Sequence, residues 1–306
     1  MPRRRHPGDA VSAPVRPAVP SGATVARPHD RLLGNGRFLT VLTGAGTGGA
    51  WLEGQALTPW RGDPVEDADG WFVYLHDLTD GSFWSVGERP VPAVPDAYAT
   101  RSGPGWMEIE RRQAGIESRM EAWVDPGLGA ECRVITLRNT SGRGRRIGLT
   151  SSMEVVLQDA RRHEAHPGFS KLFVQTEWVP EHGLLLAHRR PRSSDDRHPW
   201  IAHASRGPGS VSHTTDRREF IGRGRGPDAP FRVGIDPKLS GTSGDVLDPI
   251  LALQHVVELA RGASVRIDLV LATGWDRTEA LETARRLGAG EALDRSRRAA
   301  VDAARA

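Results

Sequence analysis

The stretch Trp71-Phe-Val-Tyr-Leu-His-Asp-Leu-Thr-Asp-Gly-Ser-Phe-Trp-Ser-Val-Gly87 limits what this chain can become more than any other. Aromatic and β-branched residues fill both arms, and Asp80-Gly81 sits between them, where a tight reversal needs a residue that tolerates positive φ. The pattern predicts a β-hairpin. Side chains alternate along a strand, so Trp71, Val73 and Leu75 share one face of the first arm and Phe72, Tyr74 and His76 the other. Neither face is simply polar, which requires a further layer packed over the strand.

The rest of the 306-residue chain is written in the same manner. Strands are expected at 106–110, 116–124, 131–137 and from Arg146 onward, separated by Asp125-Pro-Gly-Leu-Gly and Asn139-Thr-Ser-Gly. Others follow near 171–178, 184–188, 200–204 and 211–214, and 251–259 pairs with 265–272. This spacing, without βαβ alternation, predicts antiparallel sheets packed as a sandwich, an all-β fold. The 35 glycines, 22 prolines and 9 tryptophans suit many short strands better than a helical bundle. Residues 1–28 are rich in Pro, Ala and Arg without apolar periodicity and are expected to form a disordered arm. The sandwich then spans 29–274. Over 275–306 the text becomes helical, with Asp276 or Thr278 as caps and Gly288 past the end of the first helix.

Charge narrows the function classes. The balance is +3 at pH 7, Lys171 and Lys238 are the only lysines, and the arginines are interspersed with acids, which argues against a nucleic-acid surface. Cys132 stands alone in an alternating strand, so no internal disulfide forms, a small buried apolar role is expected, and a reducing, cytoplasmic compartment fits. No run approaches the ~20 apolar residues of a bilayer span, so direct membrane insertion is not expected.

The run Trp71–Trp84 resembles a segment of the N-terminal β-supersandwich of the glycoside hydrolase family 94 (glycosyltransferase 36-type) phosphorylases, and above all the phosphorylase-like region of cyclic β-1,2-glucan synthases. Colinear similarities follow in Glu154-Val-Val, His166-Pro-Gly-Phe-Ser-Lys-Leu-Phe-Val-Gln-Thr-Glu177, Asp216-Arg-Arg-Glu-Phe-Ile-Gly-Arg-Gly-Arg225 and Leu239-Ser-Gly-Thr-Ser-Gly-Asp-Val-Leu-Asp-Pro-Ile250. Together they cover roughly residues 28–287. The resemblance implies a galactose mutarotase-like supersandwich whose C-terminal helices lead toward a catalytic (α/α)6 barrel that this chain does not include. It also implies a β-glucan oligo- or polysaccharide ligand, a barrel domain or a separate chain carrying it as partner, and no activity for the sandwich alone; a homodimer is a further candidate partner, and no cofactor is expected.

Four constellations bear on chemistry. Glycoside cleavage needs a positioned carboxylic acid, and Asp77 with Asp80, or Asp245 with Asp248, are of the right class; Asp in turns more often bonds its own backbone. In the family the acid and the phosphate ligands come from the barrel, so no catalytic residue is assigned. The Gly-rich run Thr43–Gly49 lacks the following helix and the lysine of a phosphate cradle and reads as an inter-strand turn. His163, His166 and Glu164 would need helical spacing to hold a metal, and Pro167 points to a loop, so no metal site is assigned. Phe169, Ser170 and Lys171 resemble the phosphorylase loop that carries a basic residue toward the sugar acceptor, with Lys171 in place of an arginine; Arg223 and Arg225 approach the same ligand or the barrel. Trp60, Trp71 and Trp84 have the faces to stack on sugars but sit where a sandwich places its core. The rival readings are a complete mutarotase-like isomerase or glycosidase, although no motif matches the mutarotases, and a purely structural domain that docks on a separately encoded barrel protein.

Overall fold

The computed structural model describes residues 30–306, leaving out 64, 194, 236, 237 and 289. The arm expected over 1–28 lies outside these residues. Four strands open the chain as a small sheet: β1 (Arg31–Gly34), β2 (Phe38–Leu42), β3 (Gly48–Leu52) and β4 (Gln55–Ala56). The Gly-rich run is the β2–β3 turn, tied by the Thr43 and Thr47 hydroxyls 2.6 Å apart. Then come β5 (Phe72–Asp77), β6 (Phe83–Ser85), β7 (Ala97–Gly103), β8 (Trp106–Gln113), β9 (Ile116–Val124), β10 (Ala130–Asn139) and β11 (Arg145–Glu154). Two short helices, α1 (Ala160–Ala165) and α2 (Pro167–Lys171), precede β12 (Val174–Val179), β13 (Leu184–Arg189), β14 (Trp200–Arg206) and β15 (Ser210–Asp216). Helices α3 (Arg217–Ile221) and α4 (Phe231–Ile235) lead to β16 (Pro249–Leu259), β17 (Ser264–Gly274), α5 (Arg277–Arg286) and α6 (Glu291–Ala303).

An eight-stranded antiparallel sheet, β12-β13-β14-β17-β10-β9-β8-β7, faces a five-stranded one, β15-β16-β11-β5-β6. The long pairs β10–β17 and β11–β16 run side by side through the centres of the two layers. Between the sheets Val73, Leu75, Ile135, Leu149, Leu253 and Leu269 belong to one continuous core. The hairpin forms as its sequence requires: His76 pairs with Phe83, and Gly81 takes φ +78° in the turn.

Both outer faces are also covered, and β5 shows why neither of its faces is polar. Trp71, Val73 and Leu75 enter the inter-sheet core, while Phe72 and Tyr74 pack outward with Phe220, Ile221 and Val233 of α3 and α4. On the other layer, Cys132 and Val134 of β10 pack outward with Ala280, Ala284, Leu293 and Ala300 of α5 and α6. Cys132 is fully buried there, the small apolar role its strand implied. Trp123 Nε1 donates to Ser296 Oγ at 2.9 Å, and Ser296 donates to Asp125 Oδ2 at 2.6 Å, fastening α6 to the sheet.

One stretch corrects the sequence reading. Residues 160–171 are two helical turns and not a loop, and the strand expected from Lys171 starts only at Val174. Asp159 accepts from Arg162 N at 3.1 Å to start α1. Pro167 occupies the first position of α2, where its missing N–H leaves no intrahelical bond unmade.

Candidate functional site

Ser170 anchors α2. It is buried, its Oγ lies 3.2 Å from His163 Nδ1 and accepts from Gln158 Nε2, and its carbonyl accepts from Arg189 Nη1 at 2.8 Å. With Ser170 held, Lys171 is aimed inward, and Nζ donates to Glu154 Oε2 at 2.9 Å and to Asp248 Oδ1 at 2.6 Å. Asp216 caps α3 by accepting from Arg218 N at 2.8 Å, which sets Arg217 at the first helical position. Arg217 donates from Nε to Glu154 Oε1 at 2.6 Å and from Nη1 to Asp248 Oδ2 at 3.3 Å, and its backbone N–H is held by Asp248 O at 2.9 Å. Two carboxylates and two cations thus form a closed, charge-balanced tetrad at the end of β11.

Each of the four sequence stretches that follow the hairpin contributes one member: Glu154, Lys171, Arg217 and Asp248. Burial works to raise the Glu154 carboxyl, but Lys171 and Arg217 outweigh it and hold the group below the usual carboxylate range. Burial likewise opposes the Lys171 charge, and Glu154 with Asp248 overcomes it and raises the ammonium. Glu154 is therefore kept as an anion, the opposite of the raised carboxyl that a general acid requires.

Clefts open on both sides of Arg217. A narrow one of about 30 Å³ is lined by Pro59, Tyr74, Glu154, Arg217, Phe220 and Pro227. A wider one of about 240 Å³ is lined by Asp216, Arg217, Arg218, Ile221, Leu247 and Asp248. Around this edge Phe169 is 56% exposed, Leu172 49% and Leu247 74%, high values for such side chains.

Of the residues singled out by sequence, Lys171 lies in the tetrad, Ser170 is buried beneath it and Phe169 projects outward. Arg223 and Arg225 are exposed beyond α3, where Arg225 Nη1 donates to Ala229 O at 3.3 Å and its guanidinium lies 5.6 Å from the Phe231 ring. Neither joins the tetrad. Asp80 bonds its own turn through Ser82 N and Oγ, as turn aspartates do, and Asp77 is buried against Arg145. Asp245 accepts from Gln175 Nε2 at 2.9 Å. Trp71 and Trp84 are core residues; Trp71 Nε1 donates to Ser151 Oγ, which lies 3.0 Å from His203 Nε2 across the sandwich. Among the described residues no group of three His, Cys, Asp or Glu side chains is placed to hold a metal ion, and no helix is long and apolar enough to cross a membrane. Glu154 and Arg217 were not singled out in the sequence, and Asp248 was weighed there only as a partner of Asp245. The signal available was that each falls inside one of the colinear similarities, and nothing local distinguished them from neighbouring charges.

Two facing antiparallel layers with helices over both outer faces define a β-supersandwich. The chain belongs to the glycosyl hydrolase 94 supersandwich-domain family, whose model matches residues 16–289. It is 38% identical over 243 residues to the cyclic beta-(1,2)-glucan synthase NdvB of Rhizobium meliloti (strain 1021), covering 77% of this chain and 8% of that protein. It is 27% identical over 219 residues to the solabiose phosphorylase of Paenibacillus borealis, covering 71% of this chain and 27% of that protein. A bacterial glucoamylase solved with acarbose shares the fold, with a TM-score of 0.57 at 9% identity over 88% of this chain and 34% of that one. The chain thus spans a minor part of the length of each relative.

Proposed function

We propose that this chain is the carbohydrate-associated, non-catalytic sandwich of a glycoside phosphorylase or cyclic β-1,2-glucan synthase-like enzyme. It holds a β-glucan against a catalytic (α/α)6 barrel and is inactive without one. The observation that carries this reading is the tetrad: it links Lys171 of α2, the helix on which Phe169 stands exposed, through Glu154 and Asp248 to Arg217, which lines both clefts. Aromatic faces bind pyranose rings with little entropic cost, and a scaffolded short element holds them well. Held as an anion by Lys171 and Arg217, Glu154 serves this frame and is unsuited to act as a general acid. Arg223 and Arg225, exposed beyond α3, supply further donors to the sugar or the barrel.

Isothermal titration of the chain with β-1,2-gluco-oligosaccharides, with cellobiose for comparison, tests this. Saturable heat that disappears in Phe169→Ala and weakens in Lys171→Ala is expected; heat unchanged in both variants would sink the site. A second reading, a purely structural sandwich that docks on a barrel, draws on Leu247, an apolar side chain 74% exposed between residues 220 and 250. Silence with both sugars would put that reading in front.

A further inference from the structure

Beside α2 the end of β13 carries Arg189, Arg190 and Arg192. Their guanidinium carbons stand 5.2, 5.8 and 5.0 Å from the centre of the Phe173 ring, and Arg192 is also 6.0 Å from the Phe169 ring. The two rings meet edge to face, 5.2 Å apart. Arg190 and Arg192 are exposed, whereas Arg189 is only 4% exposed.

The four buried arginines differ in what they face. Arg133 pairs with Glu131 and Arg145 with Asp77. Arg111 is spent on the carbonyls of Gly87 and Ala93 and on the Gln113 side chain. Arg189 hydrogen-bonds from Nη1 alone, to Ser170 O and Oγ. Among the described residues no ion pair is formed by Arg189, Arg190 or Arg192. Asp196, the acid whose field reaches Arg189, already accepts from the Arg192 backbone N–H at 3.1 Å and pairs with His198 Nε2 at 3.1 Å. Burial, and then repulsion from Arg192, pushes the Arg189 pKa down to about 10. A buried cation with a like charge beside it is costly unless an anion offsets it.

We propose that this corner is a binding site for a phosphate dianion. The three guanidinium groups around the Phe173 ring form no ion pair with a carboxylate among the described residues, and their forked donors match phosphate oxygens. The inference stands apart from glucan binding: the arginines recognise the dianion, and a neutral glucan offers them none. The phosphate arrives either free or on a hexose whose ring lies against the exposed face of Phe169.

The test is a phosphorus NMR titration of the full chain at constant ionic strength, with inorganic phosphate in one arm and glucose-6-phosphate in the other. Saturable binding is expected, weakened at least about tenfold in the double variant Arg190→Gln/Arg192→Gln, whose side chains are exposed. The double variant Arg138→Gln/Arg146→Gln, at two remote exposed arginines, should bind as the unaltered chain does. Tighter binding of glucose-6-phosphate places a hexose on Phe169, and equal affinities make free phosphate the ligand. Arg189→Gln, checked for its fold by circular dichroism, should also lose binding. Absence of saturable binding in both arms, or equal affinity in the unaltered chain and the Arg190/Arg192 variant, overturns the proposal. Because both probes are tested without glucan, these outcomes are independent of whether the sandwich binds neutral sugar.

Discussion

The two outer faces of the sandwich are closed by opposite means. Over the eight-stranded sheet, α5 and α6 lay down Ala280, Ala284, Leu293 and Ala300, and a Trp123–Ser296–Asp125 chain supplies the polar fastening. Over the five-stranded sheet, α3 and α4 cover only part of the surface, and the rest is held by the charged tetrad, with clefts and exposed apolar side chains around it. An apolar cover stabilises through area removed from water, and a half-buried set of ion pairs contributes less because desolvation offsets the attraction. The second face therefore exchanges stability for polar groups held in fixed positions, the arrangement expected of a surface that meets something.

The comparison breaks most sharply at Trp123, which is 1% exposed. Trp123→Ala should cost about 3–5 kcal/mol in urea unfolding, from lost burial and the loss of the indole hydrogen bond to Ser296 Oγ. A loss as small as at the charged face would refute the distinction. Next comes the interior that both faces share. Burial pushes the His203 pKa down to about 3, below its unfolded value near 6.5. The unfolded chain takes up that proton first, so the stability is complete above about pH 6.5 and falls on acidification toward pH 3, by up to about 1.4 kcal/mol per pH unit. Unfolding midpoints that stay flat between those limits would show that His203 is not held neutral.

The tetrad behaves differently with pH. Glu154, with its pKa lowered, contributes above its unfolded value of 4.5 and loses the contribution as pH falls through the folded value; Lys171, raised, contributes fully below 10.5 and loses it only above that. Glu154→Gln should cost about 1–2 kcal/mol near neutral pH, and the difference from the unaltered chain should shrink in acid. A pH-independent difference would assign the effect to packing. The smallest effect is expected at Phe169: Phe169→Ala should change stability by less than about 0.5 kcal/mol, since most of the ring already faces water, while abolishing any glucan heat.

The architecture was legible because its signals are local. The alternation in Trp71–Leu75 announced a strand covered on both sides, and Ile116–Val124 forms a strand over the limits its pattern suggested. The helices α1 to α4 were not legible, because elements of five or six residues are too short to display a 3.6-residue period, and Pro167 suggests a break where it in fact begins a turn. Lys171 was singled out in the sequence only through the family likeness. Its pairing with Glu154 and Asp248 was not legible, because they lie 17 and 77 positions away and sequence spacing says nothing about contacts across such separations.

The tetrad has a further consequence, in time. Its members arrive from four segments that meet only after β11 and β16 have paired and α2 and α3 have both been laid against them. Closing such distant loops is slow and comes late, so the four charges belong to the side of the barrier nearest the native state. Substitutions there should leave the folding rate nearly untouched and quicken unfolding, making these ion pairs a latch on the lifetime of the folded sandwich.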